Sequence, residues 1–360
     1  MKNRNMFLLA GLISCIFLSA CGIEIEPNKQ IPSEEINGTI KGRVLLGNDG
    51  WVLDLTTGLY SKIKGMELWG SDRPDYLGIA QASAFPVAYS GLEIIETVRD
   101  CRNIIDKTSN SNCIKIYNQD GDILEHLNYN GRIITDAKPS RNAQYIALAR
   151  QYGDLGSNSL LEIHDRSGSL VSSSVVEDNR ASITIDWLPD NILVYTFKQS
   201  IFMTTALSTT GIEIFSFPLE QGTPDKIAAS PDGLQLAFQL RTNGSFVADH
   251  GHIWVINIDG SGLRQLTNVP DDDNPVVNYP AWSPDGHWIL VVEGRYKGSN
   301  GTGGPGTLYA VPSDGEKVLL TIDSSTSAKP ILSYNDMKNG KANLDLTFDY
   351  QSAGNHAWLP

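Results

Sequence analysis

Histidines, clustered carboxylates and cysteines are the residues of this chain with chemistry to offer, and three stretches bring such residues close together. Asp249-His250-Gly251-His252 brings two imidazoles close enough to share a metal ion, although the segment reads as the start of a strand after a loop. Asp271-Asp272-Asp273-Asn274 gathers carboxylates suited to Ca²⁺. The EF-hand spacing and its terminal glutamate are missing, so a solvated acidic connection is the plainer reading. Cys101 and Cys113 flank a polar stretch, Arg102 to Asn112, and no further cysteine or nearby histidine cluster completes four zinc ligands. No cofactor is therefore expected. Ca²⁺ at Asp271, Asp272 and Asp273 and a metal at His250 and His252 stand as the lesser candidates.

Catalytic motifs are missing as well. The Gly-x-Ser-x-Gly elbow of a serine hydrolase does not occur, nor do the Asp-box repeats of sialidases. The glycine-rich run from Tyr296 to Gly306 lacks the Gly-Lys-Ser/Thr ending of a phosphate loop. It reads as a loop over one mouth of the molecule, available for partner contact. With six histidines and no recurring Glu/His set, the expectation is a non-catalytic protein, a hydrolase or lactonase being the alternative.

The elements that must carry these residues repeat. Ala229-Ser230-Pro231-Asp232-Gly233 before Leu234 to Phe238 is echoed by Trp282-Ser283-Pro284-Asp285-Gly286 before Trp288 to Val292. In each, proline interrupts the ladder, Asp-Gly closes a turn through a residue tolerant of positive φ, and an apolar strand follows. Ile253 to Ile258, the turn Asp259-Gly260-Ser261-Gly262, and Leu263 to Thr267 add two more strands. Weaker copies are Trp187-Leu188-Pro189-Asp190-Asn191 and Pro139-Ser140-Arg141-Asn142. Taking Ser140, Pro189, Pro231, Pro284 and Tyr334 as equivalent points gives steps of roughly 42 to 53 residues, the period of propeller blades. The expectation is an all-β fold: a single β-propeller of four-stranded antiparallel blades, with seven favoured and six the alternative. Leu46 to Leu53, around Asn48-Asp49-Gly50, reads as a degraded first copy. Ala357-Trp358-Leu359-Pro360 resembles the Trp187 and Trp282 strands, which implies a closing blade shared by N- and C-terminal strands.

The Ser-Pro-Asp-Gly signature, with Ile-Trp-Val-Ile-Asn-Ile-Asp-Gly-Ser-Gly and Leu-Arg-Gln-Leu-Thr after it, resembles the WD40-like (PD40) repeats of TolB-type propellers. The resemblance is strong over 226–322, fair over 132–225 and poor elsewhere. It implies the fold and a role as a protein-binding platform in the periplasm, without implying the same assembly.

At the N-terminus, Lys2 and Arg4 precede an apolar stretch from Met6 to Leu18, too short for a membrane span and suited to a signal peptide. Leu18-Ser19-Ala20-Cys21 resembles the bacterial lipobox, which implies cleavage after residue 20 and a lipid on Cys21. An ordinary secretory signal is the alternative. Gly22 at the next position points to the outer membrane. Residues 21–37 read as a polar tether broken by two prolines, and 38–360 as the propeller. In an oxidising compartment Cys101 and Cys113 are expected to be bridged, stabilising by about 3 kcal/mol in the chain-entropy model. Unpaired thiols are the alternative. The formal charge of −13 disfavours nucleic acid and anionic lipid surfaces. The expected partners are thus envelope proteins met through the loop surface of the propeller, with the membrane reached through the N-terminal lipid alone. A glycan or small ligand in the central tunnel is the alternative function.

Overall fold

Strands whose two faces are both apolar can be stable only when packed on each side, and that requirement shapes the whole molecule. The computed structural model describes residues 40–46, 51–55, 60–62, 87–89, 93–99, 111–118, 122–130, 133–151, 159–176, 183–208, 210–241, 251–269, 275–295, 307–321, 327–333 and 356–359. The chain divides into Met1–Gly38 and Thr39–Pro360, and all described residues lie in the second unit.

The described residues form six four-stranded blades. Blade 1 comprises β1 (Arg43–Leu46), β2 (Trp51–Asp54), β3 (Tyr60–Lys62) and a strand from the far end of the chain. Blade 2 is β4 (Val87–Tyr89), β5 (Ile94–Arg99), β6 (Ser111–Tyr117) and β7 (Ile123–Asn130); blade 3 is β8 (Ile133–Pro139), β9 (Tyr145–Gln151), β10 (Ser159–Asp165) and β11 (Leu170–Val176). Blade 4 is β12 (Ile185–Trp187), β13 (Ile192–Phe197), β14 (Ser200–Thr205) and β15 (Ile212–Ser216). Blade 5 holds β16 (Thr223–Ala229), β17 (Gln235–Arg241), β18 (Gly251–Asn257) and β19 (Arg264–Gln265). The two-residue β20 (Thr267–Asn268) follows. Blade 6 holds β21 (Pro275–Trp282), β22 (Trp288–Arg295), β23 (Thr307–Pro312) and β25 (Lys329–Ser333), with the short β24 (Val318–Leu319) pairing in parallel with β20. The last strand, β26 (His356–Leu359), lies antiparallel to β1 and supplies the inner strand of blade 1.

Closure is visible in the order of neighbours. The inner strands adjoin one another in the cycle β26, β4, β8, β12, β16, β21 and back to β26. Six separate hydrophobic clusters fill the six seams between adjacent blades. The apolar run of β22 shows how the pattern works: Trp288, Leu290 and Val292 turn to the seam with blade 1, while Ile289 and Val291 turn to the seam with blade 5. Successive residues of a strand point to opposite faces, so a continuous apolar run serves two cores at once.

Seven blades, the favoured expectation, are not what the described residues form. Inner strands begin at residues 87, 133, 185, 223, 275 and 356, and the last interval is far longer than the others while holding one described blade. Among the described residues the strands therefore make six blades. β25 is the outer strand of blade 6, and Tyr334, the last of the points taken as equivalent, lies outside the described residues. The reading around Asn48-Asp49-Gly50 is also corrected. In an ordinary blade the repeated turn joins the inner and second strands, but here that link is broken because the inner strand comes from the C-terminus. The hairpin pairing Leu46 with Trp51 joins the second and third strands instead. The shared closing blade itself is present.

Candidate functional site

The inner strand of each blade is an edge strand, apart from β21, which pairs in parallel with β18 where Val276 meets Gly251, so backbone N–H groups there need partners from beyond the blade. Side chains of the neighbouring blade meet part of that demand. Asp136 of blade 3 accepts from Ile185 N of blade 4 at 3.1 Å, and Asp186 of blade 4 accepts from Ala229 N of blade 5 at 2.7 Å. Thr184 Oγ1 accepts from Ile227 N at 3.3 Å and lies 2.9 Å from Thr196 Oγ1. In the other direction, Trp187 and Trp282 donate their indole N–H groups to Lys138 O and Ala228 O of the preceding blades.

The turns after the inner strands of blades 3, 5 and 6 share one chemistry. Ser230 Oγ donates to Asp232 Oδ1 and accepts from Gln235 N, while Asp232 accepts from Leu234 N. Ser283 and Asp285 repeat this with His287 N and Trp288 N, and Ser140 and Asn142 with Gln144 N and Tyr145 N. The serine and aspartate thus cap the turn, and the glycine alone takes positive φ, 75° at Gly233 and 76° at Gly286. Ala143 holds the same place at φ 57°. Where the other two turns have proline, blade 3 has Arg141. Its guanidinium donates to Trp187 O of blade 4 and to Ser230 O and Pro231 O of blade 5. Burial lowers the Arg141 pKa, opposed by Asp186 and Asp232.

Four residues before these three turns the chain carries Asp136, Lys226 and Tyr279, and Thr184 holds the matching place in blade 4. Those of blades 3, 5 and 6 lie at breaks in register, where a bulge re-aims side chains. Lys226 and Tyr279 take left-handed φ values of 51° and 53°. The ammonium of Lys226 sits 5.3 Å from the Tyr279 ring centroid and 4.0 Å from Asp225 Oδ1, while Arg241 Nε lies 3.5 Å from Asp225 Oδ2. Asp225 holds the lysine charged, raising its pKa against the effect of burial. Burial raises the pKa of Asp136, and Lys138, the Ile185 N–H and Lys226 oppose the rise. Asp136 and Lys226 lie on β8 and β16, two of the inner strands that adjoin one another around the axis of the ring. This central group is the candidate site.

A second polar group lies in the seam between blades 2 and 3. Glu162 Oε2 is 2.9 Å from Arg150 Nη1 and 3.0 Å from His164 Nε2, and His164 Nδ1 donates to Gly168 O. Burial pushes the Glu162 carboxyl up, but hydrogen bonds from His164 and Arg150 outweigh it and hold the group at about 2. Burial pushes Tyr129, edge-on to His164, up to about 12. Arg166 pairs with Glu93 at 2.9 Å and Glu125 at 3.2 Å. The Arg166 ion pairs and the Tyr129–His164 contact cross the seam, and the group reads as a staple between blades.

The residues singled out from sequence fare differently. His252 is the second residue of β18, and burial, then Lys317, lowers its pKa. Its neighbour His250 and the carboxylates Asp271, Asp272 and Asp273 lie outside the described residues, as do Cys21 and Cys101. Cys113 lies in β6, paired with Asn128 of β7. No group of three or more metal-ligating side chains occurs among the described residues. Sequence reasoning missed Lys226, Tyr279 and Arg141. Arg141 had a visible signal, since arginine replaces proline at one copy of the turn.

No family model matches the chain. Among solved structures it is similar to TolB from Acinetobacter baumannii at 15% identity, with a TM-score of 0.50 over 77% of this chain and 63% of that one. The fold is that of a TolB-like β-propeller. Similarity also extends to a putative TolB from Agrobacterium tumefaciens, 13% identical with a TM-score of 0.47, covering 69% of this chain and 80% of that one. A periplasmic gluconolactonase from Pseudomonas aeruginosa is 15% identical with a TM-score of 0.44, covering 81% and 82%. At 15% identity the likeness to the Acinetobacter baumannii TolB shows the fold alone, and propellers host both enzymes and other proteins.

Proposed function

We propose that this TolB-like propeller is a lipid-anchored, periplasm-facing platform that binds other envelope proteins without catalysing a reaction. The observation that carries the reading is a repeated exposed hydrophobe. The first residue of the outermost strand is Ile123 in blade 2, Leu170 in blade 3 and Ile212 in blade 4, exposed by 44%, 55% and 62%. Leu207, in the turn before β15, is 76% exposed. In an antiparallel four-stranded blade the turn before the outermost strand lies at the same end as the turn after the inner strand. These side chains therefore lie toward one face, and we read this recurring row of exposed hydrophobes as the surface offered to a partner.

On this reading Cys21 carries the lipid, residues 21–37 tether the propeller to the outer membrane, and Cys101 and Cys113 are bridged. No helix among the described residues is long and apolar enough to cross a membrane. The test is cross-linking and capture from solubilised envelopes with the wild-type chain and an Ile123→Ser, Leu170→Ser, Ile212→Ser variant. A specific protein recovered by the first and lost from the folded variant supports the platform. Equal recovery, or none by either, refutes it. A ligand bound at the centre of the ring is the second reading, favoured by the position of Lys226.

A further inference from the structure

We propose that the outer edge of blade 3 pairs with a second copy of this chain, β11 lying antiparallel to β11 about a two-fold axis at Ser173. This goes beyond the platform reading, which concerns one end of the blades and not their sides. The outer strand of a blade is an edge, and natural edges carry charges, proline or shortness that stop a further strand from adding. Most outer strands here carry such a device. β3 ends in Lys62, β7 holds Glu125 and His126, β15 holds Glu213, β19 is two residues long and includes Arg264, and β25 begins Lys329-Pro330. β11 is different. It reads Leu-Val-Ser-Ser-Ser-Val-Val, seven residues with no charge, histidine or proline. Among the described residues β10 is its one strand neighbour, which leaves its other side open. Register shifts do not set it apart, since β7, β15 and β25 have them too. In β11 the shift falls at Val171, and 172–176 run on regularly.

The pattern of the strand selects its occupant. Apolar residues stand at both ends with three serines between, so an antiparallel copy centred on Ser173 sets Ser172 against Ser174 and Val171 against Val175. Hydroxyl thus meets hydroxyl, and β-branched meets β-branched, pairings that stabilise a sheet. Charge permits the same arrangement, because a strand without charge opposes no like charges when laid against itself. Ser173 is exposed, as are Leu170 and Val175, by 55% and 59%. The edge therefore offers side chains as well as backbone. Two-fold pairing uses one patch on both molecules and closes, so the product is a dimer and not a filament.

The experiment uses the full chain in detergent, with sedimentation velocity over a concentration series and disulfide cross-linking at the proposed axis. A monomer–dimer equilibrium is expected. It should tighten as salt rises from about 50 to about 500 mM, because the formal charge of −13 on each copy repels the other until it is screened. Ser173→Lys sets two lysines across the axis and should weaken the dimer about tenfold or more. Gln221→Lys, which adds the same charge at an exposed turn between β15 and β16, should leave it unchanged. Ser173→Cys should give a covalent dimer on mild oxidation, absent from wild type and from Gln221→Cys. Should Ser173→Lys fail to fold, the Ser173→Cys cross-link carries the test. A wild-type chain monomeric throughout the series, a dimer unaltered in the folded Ser173→Lys protein, a dimer loosened by salt, or no covalent dimer from Ser173→Cys overturns the proposal. A monomeric chain whose captured envelope protein is lost in Ser173→Lys also overturns it, and gives the edge to a strand of that protein. Leu170 is common to this edge and the platform row, and Ser173 separates them: dimerisation without any captured protein would retain the edge and reject the platform.

Discussion

Replacing Trp358 by alanine should destabilise the entire ring, because this side chain joins the two ends of the chain. Trp358 is buried in the seam between blades 6 and 1, among Val44, Leu53, Trp288, Leu290, Val292, Leu308 and Ala310. Its indole N–H donates to Lys41 O at 2.9 Å. Truncating a buried tryptophan costs about 3–5 kcal/mol, and the orphaned Lys41 carbonyl adds about 1 kcal/mol. Against a total stability of about 5–15 kcal/mol this is a large share. Urea unfolding followed by far-UV circular dichroism should show one transition, with its midpoint lowered by roughly 1.5 M for a slope near 3 kcal/mol per molar. Trp358→Phe keeps most of the volume and should cost about 1–2 kcal/mol. Gly42→Ala tests the same contact from the other side. Gly42 has φ 100°, and an added Cβ would stand 2.7 Å from both Leu359 O and Trp358 Nε1. If Trp358→Ala lost less than about 1 kcal/mol, or produced a separate early transition, closure by β26 would not be what holds the ring together.

Ala143→Gly should stabilise by about 1 kcal/mol in the same urea assay, since Ala143 takes φ 57° where the matching turns use Gly233 and Gly286. Arg141→Met should cost about 3 kcal/mol by leaving carbonyls of blades 4 and 5 without their donor, a loss that Arg141→Lys should only partly restore. Glu162 contributes stability that is present above its unfolded pKa and lost as pH falls toward its folded value of about 2. That contribution is about 3 kcal/mol at most, and stability measured between pH 5 and pH 2 should fall less steeply in Glu162→Gln than in wild type. For the cysteines, maleimide labelling of the unfolded chain should modify Cys113 only after reduction, and Cys21→Ser should release the protein from the membrane fraction.

Much of the fold was legible because propeller physics writes itself locally. The Ser-Pro-Asp-Gly turns announce where inner strands end, and the run Trp288 to Val292 announces a strand packed on both faces. The likeness of Ala357-Trp358-Leu359 to the Trp187 and Trp282 strands foretold the shared blade, since an inner strand must meet the same two seams wherever it comes from. The number of blades was not legible. It depends on how much chain lies between strands, and the interval from Pro275 to His356 breaks the period that the middle of the sequence keeps.

The candidate site shows the same division. Lys226 and Tyr279 look like ordinary polar and aromatic positions in the sequence, and nothing local marks them as bulged. Only their equivalent places in neighbouring inner strands, and the ring that turns those strands toward a common axis, bring the ammonium over the aromatic ring. Likewise Arg141 could be noticed as an exception to the repeat, but its reach to carbonyls about ninety residues onward exists only when blades 3, 4 and 5 are curved side by side. By itself the sequence determined the repeating unit, its turns and the docking of tail to head, because these follow from backbone chemistry within a few residues. The tertiary structure decided how many units close the ring and which side chains meet at its centre, because both depend on distances between segments that are remote along the chain.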